Sequence, residues 1–176
     1  MKIRSVNRWI TVFIAIWCLI VNVAIASEFS VSLGSTGEGE ITQRLSYMRT
    51  WDNRWFDSSM GHLSGAWDMG YTHWLKGSYG HSAHALSLSP VLIYLFHTKS
   101  RYQPFVEFGV GVSFFNTTKV GSQKLGSSFN FEDRIGAGIK VGGHRFGIRI
   151  IHYSNLGISK PNQGIESYAL YYNYQF

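Results

Sequence analysis

Apolar side chains recur at every second position along most of this chain. Phe29, Val31 and Leu33 alternate with Ser30, Ser32 and Gly34; Val106, Phe108, Val110, Val112 and Phe114 alternate with Glu107, Gly109, Gly111 and Ser113. Ile135, Ala137, Ile139 and Val141 alternate in the same way with Arg134, Gly136, Gly138 and Lys140. Successive side chains of a β-strand point to opposite faces, so this period of two predicts strands with one apolar face and one small or polar face. Eight are expected, over about 28–34, 41–51, 63–74, 83–96, 103–115, 129–141, 144–154 and 166–176. Between them lie turn-rich segments such as Gly34-Ser35-Thr36-Gly37, Lys76-Gly77-Ser78-Tyr79-Gly80 and residues 116–128. No internal repeat, low-complexity tract or domain linker breaks the series.

The first residues depart from this pattern. Lys2, Arg4 and Arg8 precede an apolar run from Trp9 to Ile20, followed by Ala24-Ile25-Ala26. A basic start, a short apolar stretch and an A-x-A end predict a secretory signal peptide over 1–26, cleaved before Ser27. A lipoprotein signal at Cys18 is disfavoured because the bulky Trp17 stands where a small residue is needed. The mature chain, 27–176, suits one domain. Its loss of the single cysteine with the signal excludes disulfides, thiolate nucleophiles and cysteine metal sites. Three of the 16 basic residues also leave while all 10 acidic ones stay, so a net charge of +6 falls to +3. That balance gives nucleic-acid binding little support.

Alternation alone suits a soluble barrel or sandwich as well as a membrane barrel. The polar face decides between them. It carries Glu107, Glu132, Arg134, Lys140 and Arg149 among many glycines, a poor filling for a soluble core but a suitable one for the hydrogen-bonded interior of a small membrane barrel. The last strand places Tyr168, Leu170, Tyr172, Tyr174 and Phe176 at every second position, an ending similar to the sorting signal of bacterial outer-membrane barrels. Hydrocarbon offers no water to satisfy a strand backbone, so the sheet must close on itself. The expected fold is therefore all-β, an eight-stranded antiparallel transmembrane β-barrel with both termini in the periplasm. Trp51, Trp67, Trp74 and Tyr94 are expected in its interfacial girdles, and Pro90 at a bulge or strand irregularity. Trp55 and Phe56, in the long periplasmic turn 52–62, are expected to pack as a small helical or interfacial plug.

On the seventh strand Phe146, Ile148, Ile150, His152 and Ser154 share one parity, and the apolar members place it towards lipid. Glu166 shares the parity of Tyr168, Leu170 and Tyr172 on the eighth. An imidazole, a hydroxyl and a carboxylate thus emerge on the lipid-facing surface near its outer end. Charged groups there cost up to about 2–4 kcal/mol at mid-depth and less near the interface. A nucleophile (Ser154), a base (His152) and an orienting acid (Glu166) would account for all three together. The other histidines, His62, His73, His81, His84, His97 and His144, are scattered without a carboxylate at metal-ligand spacing and read as surface or interface residues. Asp68, Glu107, Glu132, Asp133 and Arg134 read as salt bridges inside the barrel. Lys119 and Lys124, in the outer loop, serve either lipid phosphates or plain solubility.

The stretches Asn130-Phe131-Glu132-Asp133-Arg134-Ile135-Gly136-Ala137-Gly138, Ile151-His152-Tyr153-Ser154-Asn155 and Pro161-Asn162-Gln163-Gly164-Ile165-Glu166-Ser167-Tyr168 resemble PagL-type lipid A 3-O-deacylases. The similarity covers most of the mature chain and is most specific in its last third. It implies an eight-stranded barrel of the bacterial outer membrane, integral and multi-pass. It further implies a serine, histidine and glutamate triad at Ser154, His152 and Glu166, facing the outer leaflet. Asn155, Gly157 and Asn162 match the region around the family's oxyanion site. The implied partners are lipid A or lipopolysaccharide as substrate, with a homodimer allowed, and no cofactor is implied. The rival readings are a structural or adhesive barrel without catalysis, and a phospholipase or acyl transferase of the outer leaflet.

Overall fold

The computed structural model describes residues 26–78 and 81–176, so the expected signal peptide lies, but for Ala26, outside the described residues. Its strands are β1 (Ser27–Thr36), β2 (Ile41–Thr50), β3 (Gly61–Trp74), β4 (Ala83–Phe96), β5 (Gln103–Phe115), β6 (Lys119–Val120), β7 (Gln123–Lys124), β8 (Phe129–Val141), β9 (His144–Ser154) and β10 (Ile165–Gln175). Eight of them close a barrel in the order β1-β10-β9-β8-β5-β4-β3-β2. Every neighbouring pair is antiparallel, including the closing pair β1 and β10. All eight expected strands are present, four with the expected bounds and the others with ends shifted by at most two residues.

Strand parity separates two environments. Facing outward are Phe29, Leu33, Phe108, Phe114, Ile135, Phe146, Ile148 and Leu170, each more than half exposed. Facing inward, Arg44, Asp68, Glu107, Glu132, Arg134, Arg145 and Arg149 are buried. Arg44 pairs with Asp68 at 2.7 Å and with Glu132 at 3.0 Å, and Arg134 pairs with Asp68 at 3.1 Å and also with Glu132. Arg149 holds Glu107 at 2.5 Å, and Arg145 pairs with Glu28. Buried charges persist only when paired, and here each is held by a partner of opposite sign. Gly70 leaves open the space that the Arg44 guanidinium fills. Above the charges, Trp74, Phe115, Tyr153, Val120, Leu125 and Ile165 form an apolar cluster at the outer mouth. Below them Met48, Ala66, Val91, Ile93, Phe105 and Tyr171 form another.

Three expectations need correction. Trp74 is not in a girdle but wholly buried in the lumen, its Nε1 3.3 Å from Ser167 Oγ, because it shares the even parity of Asp68 and Thr72 on β3. Asp133 is not an interior residue. Glu132 and Arg134 point inward, so the residue between them must point out. Phe56 forms no plug: it is 79% exposed, and the turn 52–60 is instead tied back by a bridge between Trp55 and Leu63. At Pro90, expected at a bulge or strand irregularity, the structure shows the irregularity and no bulge. The β4–β5 ladder skips from Leu88↔Val112 to Val91↔Gly109 with its register unchanged, so the missing N–H interrupts pairing without slipping it.

The β6–β7 hairpin was not legible as strand, being two residues a side around Gly121 (φ 58°). What holds it is Glu38, in the loop after β1. The carboxylate accepts from the Ser122 amide at 2.8 Å, from Gln123 Nε2 at 2.7 Å, and from the Ser122 hydroxyl. The bonds from Ser122 hold the Glu38 carboxyl below its usual range. Docked this way, the hairpin lowers Val120 and Leu125 onto the apolar cluster and folds the outer loops over the mouth.

Arg134→Ala deletes one member of the buried cluster and leaves Asp68 and Glu132 to share Arg44, with one negative charge in excess. The folded barrel is expected to lose about 3–5 kcal/mol. A lower urea midpoint for the heat-modifiable gel shift in detergent micelles would register this, and an unchanged midpoint would count against any such contribution.

Candidate active site

β9 and β10 lie side by side with Glu166 directly opposite His152. Outward parity on both strands, set by Phe146, Ile148 and Ile150 on one and Tyr168 and Leu170 on the other, brings the two side chains together on the lipid-facing surface. His152 Nδ1 lies 2.8 Å from Glu166 Oε1, with 38% and 47% of the two side chains exposed. A carboxylate on Nδ1 fixes the proton there and leaves the Nε2 lone pair free. Ser154 follows two residues along the same face and is 7% exposed at the foot of the loop 155–164. Among the described residues its hydroxyl makes no hydrogen bond to His152; catalytic contacts of this kind commonly tighten only when substrate is bound.

The other neighbours of the imidazole come from β8 and the loop. Asp133 is the cross-strand partner of His152, and Phe131 that of Ser154. Two carboxylates therefore flank the ring, but only Glu166 bonds to it. Gly164, with φ 69°, closes the remaining side: a Cβ there would meet His152 Cε1 at 2.8 Å and Nε2 at 3.4 Å. Sequence reasoning missed both residues. The parity of Glu132 and Arg134 could have placed Asp133, whereas nothing along the chain marks Gly164 as touching the ring.

The three residues expected near an oxyanion site have distinct roles in the loop. Asn155 is fully buried, and its side-chain amide donates to Leu125 O at 2.7 Å and Ser159 O at 2.8 Å. Its Oδ1 accepts the Gly157 amide at 2.8 Å, stabilising a turn in which Leu156 (φ 51°) and Gly157 (φ 81°) are both left-handed. Asn162 Oδ1 accepts the Asn155 amide at 3.0 Å. That bond assigns the Asn162 oxygen inward and leaves its Nδ2 without a partner among the described residues. Ser159 Oγ to Gly126 O at 2.8 Å and Lys124 N to Gln163 Oε1 at 2.6 Å join this loop to the β6–β7 loop. Lys119 and Lys124 face each other across that hairpin.

Below the His152–Glu166 pair, the next outward residues are Ile150 and Tyr168. They begin an apolar depression of about 610 Å³ shared with Leu33, Ile41, Ile148 and Leu170. Catalytic-type polar groups thus stand at the head of a groove of chain-like character that opens to lipid.

Comparisons with known proteins place the chain among relatives of one family. The lipid A deacylase PagL of Pseudomonas aeruginosa is 50% identical over 148 residues, 84% of this chain and 85% of that protein. The lipid A deacylase PagL of Bordetella bronchiseptica is 30% identical over 144 residues, 80% of each. A crystal structure of the outer-membrane enzyme PagL superposes with a TM-score of 0.80 at 48% identity, covering 84% of this chain and 98% of that one. The N-terminal β-barrel domain of Pseudomonas aeruginosa OprF, at 17% identity and a TM-score of 0.50, shares the barrel fold alone. The sequence profile described as lipid A 3-O-deacylase (PagL) matches residues 40–175, and the chain belongs to that family.

Proposed function

We propose that this outer-membrane barrel hydrolyses the ester at the 3-position of lipid A, with Ser154 as nucleophile, His152 as general base and Glu166 as the acid that orients it. The observation that carries the reading is the 2.8 Å contact between His152 and Glu166 on the lipid-facing wall. A barrel without chemistry to perform gains nothing from desolvating such a pair beside lipid.

The Ser154 hydroxyl attacks the ester carbonyl while its proton passes to His152 Nε2. Glu166 stabilises the imidazolium that forms. Collapse of the tetrahedral intermediate breaks the bond to the sugar oxygen, which takes the proton from His152, and leaves the acyl chain on Ser154. Water, reaching the site from the headgroup side, attacks the acyl-serine carbonyl as it gives a proton to His152; the bond to Ser154 Oγ then breaks, that oxygen takes the proton back from His152, and a 3-hydroxy fatty acid is released. The free Nδ2 of Asn162 is the donor assigned to the oxyanion. The Asn155 and Gly157 amides, already engaged within the loop, position it. One such donor contributes on the order of 3 kcal/mol. The apolar depression beneath Ile150 and Tyr168 accommodates an acyl chain lying along the wall.

Mass spectrometry of lipid A from cells making the wild type is expected to show loss of one 3-hydroxyacyl group, and from cells making Ser154→Ala, none. Heavier lipid A would identify a transferase, altered phospholipids alone a phospholipase, and identical spectra a barrel without this activity.

The two carboxylates beside His152 make opposite forecasts. Glu166→Gln is expected to lower the rate by roughly 10³–10⁴, the scale seen when a triad acid is neutralised. Asp133→Asn should stay near wild type. The reverse order in a deacylation assay would move the orienting role to β8.

Gly164→Ala introduces a methyl against the imidazole and a residue strained at positive φ. kcat is expected to fall about tenfold or more, equivalent to about 1.4 kcal/mol, with KM little changed. A KM increase at constant kcat would assign Gly164 to substrate binding instead.

A further inference from the structure

The periplasmic mouth, at the end of the barrel opposite the triad, holds a second cluster of chemically capable groups. His62 near the start of β3 and His97 just after β4 are far apart in sequence. The register Gly61↔Phe96 and His62↔Leu95, continued by a bond from the His97 amide to Met60 O at 2.8 Å, places them diagonally on the inward face. His62 Nδ1 and His97 Nε2 are 3.0 Å apart. Asp57 arrives from the turn 52–60, and its carboxylate and the two ring nitrogens all lie within 4.8 Å of one another.

Contacts that need no ligand fix this arrangement. Trp55 exchanges two backbone bonds of 2.8 Å with Leu63, and the Ser58 amide bonds to Gly61 O at 3.0 Å, so Asp57 is held between two anchored residues. His62 is 7% exposed, whereas Asp57 and His97 are open to the periplasm. The site is therefore half-built into the barrel and half accessible.

We propose that Asp57, His62 and His97 form a binding site for a divalent transition metal ion of the zinc type, clamping the 52–60 turn to the ends of β3 and β4. Two imidazoles and one carboxylate suit a borderline-soft cation rather than magnesium or calcium, which prefer oxygen donors. With bonds of roughly 2.0–2.1 Å, two nitrogens on one tetrahedral ion stand about 3.3 Å apart. The observed separation needs to widen by only a few tenths of an ångström. In the neutral pair one ring donates its proton to the other. Binding moves that proton to the ring's second nitrogen, so both lone pairs face the ion and no proton is released. The stacked pair His73 and His84 at the opposite end offers no such geometry. Its rings are nearly parallel at 4.3 Å, and Tyr71 occupies His84 Nδ1 at 2.5 Å.

The test uses the full-length mature barrel, refolded in detergent, stripped with chelator and titrated with ZnCl₂ by calorimetry, with thermal unfolding in parallel. Wild type is expected to bind one ion and to unfold at higher temperature, while MgCl₂ does neither. His97→Ala, at an exposed position, should weaken zinc binding at least tenfold and abolish the thermal shift. Asp57→Asn should weaken it less, and His84→Ala should match wild type. Deacylation should be unaffected in His97→Ala, which separates this site from the triad. Absence of zinc binding by wild type, or wild-type binding by His97→Ala, would overturn the proposal.

Discussion

Backbone hydrogen bonding without water is the constraint from which the rest of this molecule follows. Inside a bilayer each unpaired N–H or C=O costs several kcal/mol, so the sheet closes through β1 and β10 and each of the eight barrel strands keeps a neighbour on both sides. Closure fixes register, and register fixes parity. From parity comes the sorting of the chain into an outward apolar wall and an inward charged lumen. Even the interruption at Pro90 leaves the pairing on either side in step, because a slip by one residue would exchange the two faces.

That sorting gives exceptions their meaning. Along β9 and β10 the outward series runs from Phe146 to Ile150 and from Leu170 to Tyr168 before it reaches His152, Ser154 and Glu166, where polar groups occupy positions otherwise given to large apolar or aromatic residues. The inward series below them carries Arg149 against Glu107, paired and buried. The barrel thus keeps its structural charges inside, neutralised by one another, and places the His152–Glu166 pair outside, on the lipid-facing wall. The loops serve the same end. Asn155 ties the 155–164 loop to the β6–β7 loop, and Glu38 ties that in turn to the loop after β1, so the residues around Ser154 rest on a braced rim.

Much of this was legible along the chain because a strand's period is short and exact enough to be read locally. Eight strands, their lipid faces, the interior placement of Glu107, Glu132, Arg134 and Arg149, and the shared outward face of His152, Ser154 and Glu166 all follow from counting by two. The same count places Trp74 with Asp68 on the inward face and Asp133 opposite in face to Glu132, against what residue type alone suggests. Aromatic character suggested a girdle and negative charge suggested a salt bridge, but position on the pleat prevailed in both cases.

What sequence determined by itself is therefore the alternation of faces, since that depends only on neighbours two residues apart. Tertiary structure decided everything that requires two distant segments at a stated distance. The bond from His152 to Glu166 rather than to Asp133, the approach of Gly164 to the imidazole, the inward turn of the Asn162 oxygen and the convergence of Asp57, His62 and His97 are of this kind. Each depends on how closed strands and docked loops position side chains to within an ångström, and local periodicity carries no information at that scale.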